Sequence, residues 1–141
     1  KTVALMAAEE KRTLDPAKTA VVICDMWDDH WCASAARRCG VLAGKAGPVV
    51  EALRKRGATI VHCPSDCMAF YTDHPARKRT LALPPAAPPK DKELPDPPLP
   101  IDDSDGGCDD PPPVKFRKAW TKQHDAIRID PDRDFVTDSG K

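Results

Sequence analysis

A chain of 141 residues has room for one domain, and its 40% hydrophobic content is enough for a modest core. Its 22 basic and 22 acidic residues cancel, so the charge balance names no nucleic acid or other polyanion as a partner. No run approaches the roughly 20 apolar residues of a membrane-spanning helix, and residues 1–8 lack the length and cleavage pattern of a secretory signal. A soluble, cytoplasmic protein with no membrane partner is expected.

The first predicted element is a strand over 20–24, Ala20-Val21-Val22-Ile23-Cys24. An unbroken apolar run with β-branched content and no alternation predicts a strand covered on both faces, as in a parallel sheet. It ends in Asp25-Met26-Trp27-Asp28-Asp29, which puts the Asp25 carboxylate at the carboxyl end of a strand, where open α/β sheets bind ligands. An aspartate there also serves as a plain turn or cap residue, and that reading stands beside the first.

Over 41–56, Val41, Leu42, Ala46, Val49, Val50 and Leu53 fall at helical spacing, and Gly57 follows where a left-handed cap is wanted. Residues 58–63 make a second apolar run, ended by Pro64, so a strand, a right-handed crossover helix and a parallel strand are predicted. Asp66 then stands on the same edge of the sheet as Asp25, and the two acids are expected in one crevice.

Most of the 16 prolines fall between 84 and 113, where fixed backbone angles and missing donors exclude helix and central strand. The roughly 30 residues beyond are too few to fold alone, so 84–113 is read as an insertion within one domain spanning 1–141. Inside it, 101–110 is rich in carboxylates but fails as a calcium loop. With Gly106 at the sharp turn, Ile101 and Pro112 occupy the positions that need Asp and Glu. A solvated acidic turn is predicted instead, and a strand over 126–129 after it. Ser139 has the character of a helix start, and the first residue is a lysine, so the domain is expected to be incomplete.

The cysteines stand at 24, 32, 39, 63, 67 and 108. Cys24 and Cys63 lie in apolar runs where buried thiols are common, and the spacings match neither a redox dithiol nor a zinc finger, so reduced, structural cysteines are predicted. Of His30, His62, His74 and His124, no two share the four-residue spacing of paired ligands on a helix, and neither a metal nor a cofactor is expected. Lys122 follows Trp120 and precedes an apolar segment. Drawn into a partly dry site it would stabilise a developing anion; otherwise it is an ordinary solvated lysine.

Asp25 and Lys122, with the strand, crossover and strand between them, give the chain a family likeness. It resembles the isochorismatase-like cysteine hydrolases, which include the nicotinamidases. Residues 21–29 are similar to that family's opening strand and Asp-Met-Gln-Asn-Asp motif, with Trp27 in place of the glutamine, and Thr121-Lys122-Gln123-His124-Asp125-Ala126-Ile127 is similar to the segment bearing its lysine. The resemblance implies a three-layer, doubly wound α/β sheet with parallel strands, incomplete at its C-terminus, and hydrolysis of a small amide or related molecule. Asp25 would be the general base and Lys122 the lysine that holds the thiolate, with Trp27 and Asp66 contacting substrate. The family's nucleophilic cysteine follows the lysine, and no cysteine follows Lys122 here. Its metal-binding variant uses an Asp-x-His pair, whereas Asp66-Cys67-Met68 offers only the acid.

The function implied is therefore part of a small-molecule hydrolase whose cysteine lies outside this chain. The alternative is a catalytically inactive α/β module that recruits a partner through its prolines, since Pro85 with Pro88 and Pro95 with Pro98 meet the minimal spacing for aromatic grooves. As a third reading, the insertion is a lid over the hydrolase site. An incomplete sheet also leaves an open edge, which predicts a homo-oligomer or partial disorder.

Overall fold

The two apolar runs pair as parallel strands in a computed structural model that describes residues 9–87, 90, 108–111, 113 and 115–138. β1 (Ala20–Cys24) and β2 (Thr59–Cys63) run in register from Ala20 opposite Thr59 to Cys24 opposite Cys63. β3 (Phe135–Val136) joins the far side of β2, also parallel, giving the order β1-β2-β3. The chain is thus α/β with a parallel sheet.

The crossover from β1 to β2 is α1 (Ala33–Lys55), eight residues longer at its start than the apolar spacing indicates. Alanines at 33, 35 and 36 carry the helix back to Cys32 without any apolar stripe, through propensity alone. Gly57, at φ 95°, closes the turn after α1 in the left-handed conformation that a side chain disfavours. Ala43 and Val50 of α1, with Ala46 and Leu53 beside them, pack on Ile23, Ala58, Ile60 and Ile127 to form the main core. Each large aliphatic side chain so buried stabilises the fold by about 1.5–3 kcal/mol.

A second cluster gathers Cys67, Tyr71, Ala76 and Val136. It lies under α2 (Pro75–Leu81), which packs against β3. Pro75 stands at the first position of α2, where its missing N–H costs nothing, and His74 caps the helix through a ring Nδ1 that accepts from the Ala76 N–H at 3.1 Å.

Two expectations are corrected here. β1 is not covered on both faces: α1 sits on the Ile23 side, while Val22 on the other side is 57% exposed. No strand forms over 126–129. That stretch turns back instead, Ile127 N–H donating to the His124 carbonyl at 3.1 Å while the Ile127 side chain is drawn under α1.

A buried polar knot holds this turn in place. Asp134 accepts from Arg54 Nε (2.8 Å) and Nη2 (2.6 Å), from His62 Nε2 (2.9 Å) and from the Asp130 N–H (2.9 Å). His62 Nδ1 faces Gln123 Oε1 at 2.9 Å, and Gln123 Nε2 donates to the Ile127 carbonyl. Burial alone would raise the Asp134 carboxyl, but the bonds from His62 and Arg54 together hold it well below the ordinary carboxylate range. No helix among the described residues is long and apolar enough to cross a membrane. Of the insertion, residues 88–89, 91–107 and 112 lie outside the described set, as does Ser139 with its helix-start character.

Candidate functional site

At the carboxyl end of β1 the backbone turns through Asp25, whose φ of 51° is left-handed. Its amide N–H donates to the Cys63 carbonyl, continuing the β1–β2 pairing by one residue. Its carboxylate Oδ1 accepts from the Ser65 N–H at 3.0 Å and the Ser65 hydroxyl at 2.6 Å, which pins it across the ends of both strands. Asp66 does not join it. That residue is exposed, takes a φ of 59°, and uses its backbone carbonyl to accept from Lys118 Nζ.

Trp27 follows Asp25 into an aromatic cluster. Its indole N–H donates to the Ser65 carbonyl at 3.1 Å, fixing the ring beside the turn after β2. Trp27, His30 and Trp120 are parallel to within 14°, with centroids 4.3 Å apart for Trp27 and Trp120, 5.4 Å for His30 and Trp120, and 5.9 Å for Trp27 and His30. The three rings thus form one stacked group, with Trp27 and Trp120 in the tightest contact. Trp27 and His30 also line a cleft of about 300 Å³ that includes Asp25, Asp29, Cys39 and Leu42. The buried Trp120 indole N–H has no acceptor among the described residues.

Asp28 ties the two resembling segments together. Its carboxylate accepts from the Thr121 N–H (2.9 Å), the Thr121 hydroxyl (2.8 Å) and the Lys122 N–H (3.2 Å), and its own N–H donates to the Lys122 carbonyl. Partial burial raises the Asp28 carboxyl, yet these bonds outweigh it and leave it below the usual range. Trp27 and Gln123 add an antiparallel bridge alongside.

The Lys122 side chain nevertheless leaves on the other side. Its Nζ lies 2.6 Å from Asp125 and 5.8 Å from the Phe70 ring centre, within a second cleft lined by Tyr71 and His74. Asp25 and Trp27 are brought together; Lys122 and Asp66 stand apart from them.

The described residues at the end of the insertion and just beyond it, 108–111, 113 and 115–120, form a strap fastened across this edge. Cys108 is disulfide-bonded to Cys32, which corrects the expectation of reduced cysteines throughout. Asp109 and Asp110 are not merely solvated. Asp109 accepts from Ser34 Oγ (2.5 Å) and Arg38 (2.6 Å), and Asp110 accepts from the Ser34 N–H at 3.2 Å. Further along, Phe116 tilts against Trp31 and Arg117 lies 3.9 Å from Asp29. A single chain of residue types could not reveal this strap, because its partners are about 75 residues away and nothing in their local pattern pairs them.

Four cysteines remain free: Cys24, Cys39, Cys63 and Cys67. Burial pushes the Cys63 and Cys67 thiols up to about 11 and raises that of Cys39 as well, so these three are poor nucleophiles near neutrality. No protein-family model, characterised protein or solved structure matches this chain.

Proposed function

We propose that this chain is part of an isochorismatase-like hydrolase, a three-layer doubly wound α/β protein that splits a small amide or related molecule. Asp25 is the general base, and the nucleophilic cysteine lies outside residues 1–141. The observation that carries the reading is the Asp25 carboxylate, held across the carboxyl ends of two parallel strands at the mouth of a cleft walled by Trp27 and His30. In the reaction, Asp25 takes the proton of the attacking thiol and returns it to the leaving amine. Trp27 offers a flat wall for the substrate. Lys122 is held to Asp125, so its part as the lysine that steadies the thiolate requires its side chain to swing out of the neighbouring cleft. The raised thiols of Cys63 and Cys67, and the bonded state of Cys32 and Cys108, support a nucleophile elsewhere.

The test is ammonia release from a set of small primary amides by the complete gene product. Turnover is expected, and Asp25→Asn should lower kcat/KM by about 10²- to 10⁴-fold with the far-ultraviolet circular dichroism unchanged. Absence of turnover on every amide, or equal activity in the variant, overturns the proposal. The proline-mediated binding reading rests on residues that mostly lie outside the described set, and no observation among the described residues favours it.

A further inference from the structure

We infer that Cys32, Cys108 and Asp110 form a binding site for a thiophilic divalent cation of the zinc class once the Cys32–Cys108 disulfide is reduced. One ligand atom from each of the three lies within 4.8 Å of the others. Tetrahedral zinc, with bonds of about 2.3 Å to sulfur and 2.0 Å to oxygen, places its ligands roughly 3.5–3.8 Å apart, so the freed sulfurs must part to that spacing as the Asp110 carboxylate closes on them.

The cluster does not depend on the disulfide to stay assembled. Asp110 is held by the Ser34 N–H, and its neighbour Asp109 by Ser34 Oγ and Arg38, so the strap remains docked on the start of α1 when the sulfur–sulfur bond is cut. That preorganisation distinguishes this pair from two cysteines that merely meet. The position of Cys32 adds a second argument. It is the N-cap of the 23-residue α1, is only 2% exposed, and makes no side-chain capping bond. The partial positive charge of a helix N-terminus favours a thiolate there.

Charge also balances. Two thiolates and one carboxylate exceed a divalent cation by one negative charge, and Arg37, 3.8 Å from Asp110, stands ready to offset it. Arg38 is committed to Asp109. Paired thiolates select zinc or cadmium over magnesium and calcium. A water completes the four positions, since Asp109 stays committed to Ser34 and Arg38. The acidic run that fails as a calcium loop thus contributes a ligand in another way. The strap has two interchangeable fasteners, the disulfide where conditions oxidise and the cation where they reduce.

A water-soluble phosphine prepares the reduced protein. The sulfur–sulfur bond breaks, two thiols form, and the phosphine leaves as its oxide with oxygen taken from water. Cation binding then releases the two thiol protons to solvent. With the phosphine removed under anaerobic conditions, zinc is titrated by calorimetry and cadmium by its thiolate charge-transfer absorbance. One tight equivalent is expected in the reduced protein. Binding should be at least about a hundredfold weaker in the oxidised protein and in Cys108→Ser, and at least about tenfold weaker in Asp110→Asn. Cys24→Ser reports on the remaining thiols and should bind as the parent does. The inference is overturned if the reduced protein takes up no cation, if Cys108→Ser or Asp110→Asn binds as well as the parent, or if Cys24→Ser alone abolishes binding. Because Cys108 is half-buried and lies outside both core clusters, its variant keeps the test open even where Cys32→Ser fails to fold.

Discussion

The Asp134 carboxylate accepts from Arg54, His62 and the Asp130 backbone at once, so one side chain joins α1, β2 and the approach to β3. Arg54 and Asp134 are 7% and 1% exposed, and removing one partner leaves the other's charge buried without compensation. Asp134→Asn should therefore lower stability by about 3–5 kcal/mol, measured as a fall in the urea midpoint. The same group sets an acid limit. Its folded pKa, like that of Asp28, lies below the ordinary 3.8, so the unfolded chain takes up the protons first as pH falls. The stability these carboxylates contribute is fully present above about pH 4 and is lost as pH drops through their folded values. Urea midpoints from these two groups should be flat between pH 7 and 5 and fall steeply below 4. In Asp134→Asn that acid slope should be reduced, and an unchanged slope would place the acid sensitivity elsewhere.

α1 meets the 123–127 turn closely enough that glycine is required at one position and idle at another. A Cβ on Gly47 would collide with the Ala126 carbonyl oxygen, whereas a Cβ on Gly44 meets nothing within 4 Å. Helix propensity favours alanine at both by about 1 kcal/mol. The two substitutions should separate. Gly44→Ala is expected to stabilise the protein by up to about 1 kcal/mol, and Gly47→Ala to destabilise it by about 1–3 kcal/mol as the backbone is forced apart. Equal effects in chemical denaturation would mean that the turn yields to the helix. The pair also shows where the sequence was readable. β1, β2, the Gly57 cap and the later part of α1 are local patterns of apolar period and turn chemistry and stand where the pattern puts them, whereas α1 begins eight residues earlier, at Ala33. The strand expected over 126–129 failed because its apolar residues serve a turn packed under α1, a tertiary demand that outweighs β-propensity. The place of Asp25 at the carboxyl end of β1 was legible because the apolar run stops there. The roles of Asp28, Asp134 and the Cys32–Cys108 pair depend on partners distant in sequence, and no spacing rule reaches them.

Across the whole molecule, apolar surface is unevenly covered. α1 shields one face of the sheet, yet Val22 on the opposite face and Val41, Leu42 and Val49 on the helix are each more than half exposed. β1 also pairs only with β2 among the described residues, and within that set its outer edge carries no strand partner near these exposed aliphatic side chains. An open parallel edge next to exposed aliphatic side chains is a template for pairing with a further strand. The polypeptide of residues 1–141 should accordingly self-associate, with a sedimentation-average mass that climbs as concentration rises. Val22→Lys places a charge on the open face without entering the core and should shift the association to higher concentration while leaving the thermal midpoint of the dilute protein unchanged. A parent that sediments as a monomer at every concentration would show that the open edge is protected by its own twist or by the residues flanking it, and that the exposed aliphatic groups are too scattered to act as one surface.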